Sequence, residues 1–352
     1  MKRNKDHFSG CLLGGALGDA LGSPIEFYTY EQIIRHFGDD GILELQCNGS
    51  GCAEITDDTQ LTLFTAEGLL RAKCRSEKKG LQRDLRETTI VVFRAYLRWL
   101  YTQGLYTTNW KVEDYDGWLV QAKSLYVGKQ ASTTSITTLG KGIMGRLSKP
   151  INDSQNCGGV IRVSPVGLFE CKKDTFELGT RIGAITHGHP SAHYSAGAMA
   201  LLISNIIEGT SIMDGVLDVI GELKRHDNTG ECIHGLEQAI TLYKTQPGSR
   251  EALVQLGTGA EATQALAMGV YSALSFPDDI VKALRLAVNH GGYSGSVGSI
   301  TGNILGAYLG KKSIPQEWLQ KLQLAKEIEI MAEDIYTRHS KEEEWGRRYP
   351  SW

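Results

Sequence analysis

Two adjacent carboxylates, Asp57 and Asp58, stand between the hydroxyl side chains of Thr56 and Thr59. Hard divalent cations such as Mg²⁺ prefer carboxylate and hydroxyl oxygens, and neighbouring carboxylates repel each other unless a cation or a helix N-terminus compensates them. Thr56, Asp57 and Asp58 are therefore candidate metal ligands. The competing interpretation is a capping box between Asp57 and Gln60 at the start of a helix, and these residues alone favour that structural role.

A second candidate is Glu26, which follows the glycine-rich segment 14–22. The turn after Gly22 places Glu26 at the exit of a predicted helix. A carboxylate at this point can be a catalytic or orienting group, or it can be an ordinary surface acid. Taken alone, the segment favours the surface acid.

Three histidines, His187, His189 and His193, occur within seven residues. A zinc site usually adds a cysteine or carboxylate ligand at a recognisable spacing, and no such partner is obvious here. Pro190 and Ser191 instead resemble the start of a helix. The segment alone therefore favours packing or capping roles for these histidines.

Small and polar residues fill the loop over 289–298, which reads Asn-His-Gly-Gly-Tyr-Ser-Gly-Ser-Val-Gly. The backbone N–H groups of such a loop, at a helix N-terminus, suit a phosphate or another anion. The loop lacks the Gly-Lys-Ser/Thr of a phosphate-binding P-loop. A helix-capping loop of small residues is an equally good interpretation.

The elements that position these groups are predicted to be helices, because apolar residues recur at three- and four-residue spacing. We predict helices over Leu61–Lys73, Thr89–Thr102, Ala192–Ile207, Ile212–Lys224, Ala260–Leu274 and Ile280–Asn289. Alternating runs of strand length are scarce, and only 160–163 could form a short extended segment before Pro165. Pro315 is expected to begin a helix with Ser313 as its cap. The charged tail 341–347 is expected to be a solvated surface.

Glycine is unusually frequent, at 41 of 352 residues, which is about 12% against an average near 7%. Two sets recur every four residues, namely Gly10, Gly14, Gly18 and Gly22, and Gly298, Gly302, Gly306 and Gly310. Since a glycine within a helix costs about 1 kcal/mol relative to alanine, local propensity does not explain them. We predict that two helices, one near each end of the chain, approach backbone to backbone.

Composition excludes several classes of protein. Lys plus Arg is 37 and Asp plus Glu is 40, a formal charge of −3, so no basic field indicates a nucleic-acid partner. Seven cysteines, with no Cys-x-x-Cys pair, favour a reducing cytoplasmic location over a disulfide framework. The sequence has no apolar run long enough to predict a membrane-spanning helix. A short apolar run near the N-terminus resembles a secretion signal, but Asp19 interrupts it. We expect a single domain over 1–352.

Taken together and in order, these motifs resemble those of the ADP-ribosylglycohydrolase family. The resemblance includes Gly-x-x-x-Gly-Asp-Ala-Leu-Gly-x-Pro-x-Glu-Phe at 14–27, Thr-Asp-Asp-Thr at 56–59 and the middle motif at 156–165. It continues with Thr-His-x-x-Pro at 186–190 and the glycine-rich helix at 298–310. The family fold is an all-α orthogonal multi-helix bundle, in agreement with the periodicity.

The resemblance implies Mg²⁺-assisted hydrolysis of the bond between ADP-ribose and an acceptor on a protein. It implies three catalytic residues, Glu26, Asp57 and Asp58. It implies metal ligation by Thr56, Asp57, Asp58 and Ser296. It implies an ADP-ribose pocket lined by Asn156, Gly158, Gly159, His187, Gly291, Gly292, Tyr293 and Ser294.

One departure from the family pattern affects the metal site. The last metal motif of the family reads Asp-Ser/Thr-Asp-Ser/Thr, whereas this chain has Tyr293-Ser294-Gly295-Ser296. Two Mg²⁺ ions bring a charge of +4, against which the adjacent carboxylates at 57–58 supply only −2. Because Mg²⁺ needs carboxylates or phosphates to hold it, we expect a binuclear site to be lost or weakened, with one ion retained at most.

Two functions are consistent with this departure. The first is a hydrolase that acts on ADP-ribosylated protein or ADP-ribose conjugates through a reduced metal site. The second is a non-catalytic protein on the same fold, which binds ADP-ribose or acts as an immunity protein against an ADP-ribosyltransferase toxin. Tyr293 then fills the vacated space or stacks on a ligand.

Overall fold

The computed structural model describes residues 2–82, 84–107, 115–126, 133–170, 172–338, 340 and 343–351. Within these residues the chain forms eighteen α-helices and no β-sheet, so the predicted all-α class is confirmed. In chain order the helices are α1 (Lys5–Gly22), α2 (Tyr30–Phe37), α3 (Asp57–Lys79), α4 (Leu85–Thr102), α5 (Trp118–Gln121), α6 (Thr133–Gly140), α7 (Ser164–Phe169), α8 (Lys172–Gly183), α9 (Pro190–Ile207), α10 (Ile212–Leu223), α11 (Gly230–Thr245), α12 (Arg250–Leu253), α13 (Ala262–Ser275), α14 (Ile280–Val288), α15 (Ser294–Leu309), α16 (Gln316–Lys321), α17 (Ala325–Thr337) and α18 (Glu343–Arg348).

Three helix pairs organise the interior: α1 packs along α15, α8 along α9, and α3 along α4. The helix α13 also packs against α15 and α11. Their apolar side chains form one buried cluster that extends along the chain from Phe8 to Tyr349. In the described parts of the chain, no helix is both long and apolar enough to cross a membrane.

The predicted backbone-to-backbone contact between the two glycine stripes is confirmed. A Cβ added at Gly302 would overlap the carbonyl oxygen of Gly14, and a Cβ added at Gly14 would overlap the carbonyl oxygen of Gly302. In the same way, a Cβ added at Gly18 would overlap the carbonyl group of Gly298, and a Cβ added at Gly298 would overlap that of Gly18. Since the residue numbers rise along α1 as they fall along α15, the two helices are antiparallel.

This antiparallel contact places the end of α1 against the start of α15. A Cβ at Gly22 would overlap the carbonyl group of Ser294, so only a glycine fits between the two segments. Glu26, four residues beyond Gly22, is thereby brought to the loop that precedes α15. The packing of α1 against α15 thus determines where the candidate site lies.

The predicted capping box at the start of α3 is wrong. The cap is Thr56, whose Oγ1 accepts a hydrogen bond from the Asp58 N–H at 3.2 Å. Asp57 is already the first helical residue. Thr56 takes this role because Asp19 of α1 fixes its backbone and hydroxyl, a contact between residues 37 positions apart in sequence.

Two further local predictions also need correction. Residues 160–163 are not extended, because the 3₁₀ turn Cys157–Gly159 continues through them toward α7. Pro315 caps α16 instead of starting it. Ser313 is not the cap, since it lies in a preceding 3₁₀ turn and its hydroxyl donates to the carbonyl of Gly310 at 2.7 Å.

The tail is not a fully solvated surface. Residues 341 and 342 lie outside the described residues, but α18 packs Trp345 into the core at 4% exposure. The indole N–H of Trp345 donates to the thiol of Cys74 at 3.3 Å, and the hydroxyl of Tyr349 donates to Asp334 at 2.7 Å. These partners are distant in sequence, so the local charge pattern of the tail did not indicate them.

We predict that Gly302→Ala destabilises the protein by about 1–3 kcal/mol, because the new methyl group has no space against the backbone of α1. Gly221→Ala is the matched control, since Gly221 lies in α10 with nothing near its added Cβ. The control should gain about 0.5–1 kcal/mol from helix propensity. Denaturant unfolding measures both values. Equal stability of the two variants would contradict the proposed close contact.

Candidate active site

Asp19 organises the start of α3 from a fully buried position on α1. Its carboxylate accepts hydrogen bonds from the N–H and hydroxyl of Thr56, at 2.9 and 2.7 Å. It also accepts from the N–H and hydroxyl of Thr59, at 3.3 and 2.5 Å. Sequence reasoning did not assign this residue a role. The available signal was a lone charged residue within a helix of glycine, alanine and leucine.

The first acidic motif and the closing Ser-Gly-Ser turn lie in direct contact. The hydroxyl of Ser296 donates to Oδ2 of Asp58 at 2.8 Å, and the thiol of Cys157 lies 3.5 Å from the same hydroxyl. Asp57 and Asp58 are both buried, at 8% exposure. Segments around residues 58, 157 and 296 therefore meet at one place, as the order of the sequence motifs predicts.

Glu26 occupies the space where a side chain at position 295 would begin. The N–H of Gly295 donates to its carboxylate, and a Cβ added at Gly295 would lie 2.6 Å from Oε2 of Glu26. An aspartate at position 295 would therefore force this carboxylate to move. The Glu26 side chain is partly exposed.

The carboxylates of this site repel one another. Burial, together with the charges of Asp19 and Asp57, raises the pKa of Glu26 to about 8. Burial raises the pKa of Asp58 well above its usual range, and the charges of Asp57, Asp19 and Glu26 add to this effect. Burial also raises the pKa of Asp19, although four hydrogen bonds to its carboxylate oppose that shift. Such a cluster favours a bound cation or a retained proton.

The donor groups at this point are of the kind that a hard cation binds. Asp57 and Asp58 remain, and the hydroxyls of Thr56 and Ser296 lie beside them. In the described ranges, no group of three or more His, Cys, Asp or Glu side chains is arranged to hold a metal ion. Mg²⁺ is commonly held by one or two carboxylates, with water and substrate oxygens completing its shell, and this set matches that pattern.

The loop before α15 is held in place by its own side chains. The amide of Asn289 accepts from the N–H of Ile42 and donates to its carbonyl, both at 2.9 Å. The ring of His290 contacts the carbonyl oxygens of Ala287 and Thr258, at 2.7 and 3.3 Å. Asn289 and His290 are therefore structural residues that fix the loop.

Gly291 and Gly292 both have positive φ angles, +83° and +142°. A Cβ at Gly291 would lie 2.8 Å from the backbone nitrogen of Tyr30, and one at Gly292 would overlap the carbonyl of Thr258. Both glycines are thus required by backbone conformation and packing. A role in ligand binding for their N–H groups remains a prediction.

Tyr293 forms an aromatic pair with Phe27. The two ring centroids are 5.0 Å apart in an edge-to-face arrangement. Phe27 has a positive φ of +66° and is 55% exposed, and its N–H donates to the carbonyl of Gly292 at 2.7 Å. The hydroxyl of the neighbouring Ser294 is buried and has no hydrogen-bond partner in the described structure.

The middle motif contributes Cys157 to the contact with Ser296. The side chain of Asn156 caps the 3₁₀ turn by accepting from the N–H of Gly158 at 3.0 Å. A Cβ added at Gly159 would lie 3.4 Å from Nδ1 of His187, so the His187 ring packs directly on this turn. Asn156, Gly158 and Gly159 therefore lie beside Cys157 in sequence, and His187 packs on Gly159.

The histidine-rich segment does not form a zinc cluster in the described structure. His189 caps α9 by accepting from the N–H of Ser191 at 3.2 Å, and Pro190 is the first helical residue. The predicted helix start is thus confirmed. Burial lowers the pKa of His193 to about 4, which keeps this ring neutral.

We predict that stability in the presence of a chelator falls as pH rises from about 4.5 to about 8. Over this window Glu26 is ionised in the unfolded chain but still protonated in the folded one, so raising the pH favours unfolding. Glu26→Gln should reduce this slope, while Glu317→Gln, an exposed residue of α16, should leave it unchanged. Urea unfolding at several pH values measures the effect. Identical slopes for Glu26→Gln and the wild type would contradict it.

The all-α fold of this chain is shared with a solved structure. That structure is described as an ADP-ribosylglycohydrolase-related protein complex. The two chains align with a TM-score of 0.56 and 22% identity, covering 96% of this chain and 99% of the other. The likeness defines the fold.

The sequence model of the ADP-ribosylglycohydrolase family matches residues 1–344, and the chain belongs to that family. It is 26% identical over 341 residues to an uncharacterised protein of Archaeoglobus fulgidus, covering 95% of this chain and 97% of that protein. It is 26% identical to the ADP-ribosylarginine hydrolase Tri1 of Serratia proteamaculans, covering 94% and 79% of the two chains. It is 22% identical to the ADP-ribosylhydrolase ARH3 of Mus musculus, covering 95% and 92%.

Proposed function

We propose that this protein hydrolyses the bond between ADP-ribose and an acceptor side chain of an ADP-ribosylated protein. The observation that supports this function is the meeting of Glu26, Asp57 and Asp58 beside Ser296, since it joins the first and last motifs of the family in one acidic site. Relatives named as an ADP-ribosylarginine hydrolase and an ADP-ribosylhydrolase support the same reaction class.

The residues proposed to hold one Mg²⁺ ion are Thr56, Asp57, Asp58 and Ser296. When bound, this ion supplies polarisation of the ribose hydroxyls, and it relieves the repulsion between the two carboxylates. The proposed pocket for the ADP-ribose moiety is lined by Asn156, Gly158, Gly159, His187, Gly291, Gly292, Tyr293 and Ser294.

Glu26 is the proposed proton-transfer residue. Its side chain as a whole is partly exposed, and a pKa of about 8 makes both its protonated and ionised forms accessible near neutral pH. In the reaction a water oxygen bonds to the anomeric carbon, the bond from that carbon to the acceptor breaks, and the water's proton passes to the acceptor. Positive charge develops on the ribose in the transition state, which the surrounding carboxylates stabilise.

A second candidate function is binding of ADP-ribose, or of an ADP-ribosylated protein, without cleavage. The observation that favours it is the aromatic pair of Tyr293 and Phe27 in the place of a metal-binding carboxylate. An immunity protein of this kind would bind an ADP-ribosyltransferase toxin directly.

We predict that the purified protein releases ADP-ribose from ADP-ribosylarginine or ADP-ribosylserine protein in saturating Mg²⁺. Glu26→Gln should reduce turnover by about 100-fold or more, because it removes the proton-transfer group. Glu317→Gln is the surface control and should retain the wild-type rate. Chromatographic detection of free ADP-ribose measures the rates.

The outcomes of this assay separate the two functions. No release from either substrate, together with ADP-ribose binding in calorimetry, would contradict hydrolysis and support the binding protein. Absence of both release and binding would exclude both functions.

A further inference from the structure

Three buried polar side chains, Arg162, Thr186 and His187, form a linear chain of contacts beside the middle motif. Nη2 of Arg162 donates to Oγ1 of Thr186 at 2.6 Å, and to the carbonyl of Ile182 at 3.3 Å. Oγ1 of Thr186 lies 2.8 Å from Nδ1 of His187. All three side chains are completely buried.

The hydrogens in this chain can be assigned by counting donors and acceptors. A guanidinium group only donates, so Thr186 accepts from Arg162. If the single hydroxyl hydrogen of Thr186 points to His187, then Nδ1 is the acceptor and the ring proton is on Nε2. Within the Thr186–His187 pair this arrangement leaves one buried group without a partner, Nε2–H, while Nε and Nη1 of Arg162 have no partner in the described structure under either assignment.

The opposite assignment leaves two buried groups without partners. If Nδ1 of His187 were the donor, Thr186 would accept twice, and its hydroxyl hydrogen would have no acceptor in the described contacts. Nε2 would then also be an acceptor without a donor. Each such buried group costs about 1–3 kcal/mol, so the first assignment is favoured.

Arg162 is held firmly enough to impose this assignment. Its guanidinium lies over the ring of Tyr96, 4.3 Å from the centroid, and the hydroxyl of Tyr96 contacts that of Thr65 at 2.6 Å. Burial and the charge of Arg162 lower the pKa of His187 well below its usual range, so the ring is neutral. The neutral ring must therefore adopt one tautomer, and its neighbours select it.

The unpartnered N–H belongs to a ring that adjoins the candidate site. The ring of His187 packs on Gly159, two residues from Cys157, and the thiol of Cys157 contacts Ser296, which donates to Asp58. Nδ1 and Cγ are the ring atoms nearest to Gly159, and Nε2 lies on the other edge of the ring, where it has no partner in the described structure.

We propose that Arg162 and Thr186 are positioning residues that fix His187 as the Nε2–H tautomer, so that it donates a hydrogen bond to an oxygen of the bound ADP-ribose. The identity of this ligand rests on the proposed function, whereas the tautomer does not. Neither Arg162 nor Thr186 touches the ligand in this scheme.

The tautomer is tested by ¹⁵N NMR of the ligand-free, histidine-labelled protein. The shifts of His187 should be those of a protonated Nε2 and an unprotonated Nδ1, and Thr186→Ser should preserve them. Thr186→Val, which keeps the shape but removes the hydroxyl, should shift the ring toward a mixture of tautomers. A protonated Nδ1 in the wild type, or an unchanged spectrum in Thr186→Val, would overturn the proposal. The wild-type spectrum decides the tautomer even if Thr186→Val does not fold.

The donor role is tested by titrating the same proteins with ADP-ribose. The Nε2–H signal of His187 should move on binding, and Thr186→Val should weaken binding about 10-fold, or about 1.4 kcal/mol, while Thr186→Ser binds like the wild type. Binding that leaves the His187 signals unchanged would overturn the donor role. If the wild type does not bind ADP-ribose, the proposed function and the ligand assigned here both fail, and the ligand-free spectra still decide the tautomer.

Discussion

The close approach of α1 to α15 is the contact on which the rest of the structure depends. Carbonyl oxygens of each helix lie where the side chains of the other would be, so the glycine stripes set the distance between them. The chain thereby brings a helix from its first residues against one from its last part. Glu26 can meet Gly295 only because this contact continues to the end of α1.

Electrostatic repulsion is the second constraint, and it acts on the same region. Four hydrogen bonds stabilise the carboxylate of Asp19, whereas among the described residues the side chain of Asp58 accepts from Ser296 alone. Glu26 lies against Gly295, and its charge adds to those of Asp57 and Asp19 around Asp58. This arrangement is the reason for proposing one bound ion.

Much of the fold could be predicted from the sequence, because helical periodicity and glycine spacing are local patterns. The resemblance to the family also implied that Asp58 and Ser296 would lie together. Other contacts between distant residues have no such signal in the sequence. Gln60, expected in a capping box, instead accepts a hydrogen bond from the indole of Trp99 at 2.9 Å. Asp19 fixes Thr56 as the cap of α3 from 37 positions away in sequence. Rules for helix caps consider only neighbouring residues, so they do not include this contact.

The central claim is that the remaining donors hold one divalent cation per chain. Mn²⁺ in place of Mg²⁺ can be counted directly, by anomalous scattering from crystals soaked in Mn²⁺ with ADP-ribose. The account predicts one ordered ion, in contact with Asp57 and Asp58. Two ordered ions at this site, or none, would contradict it.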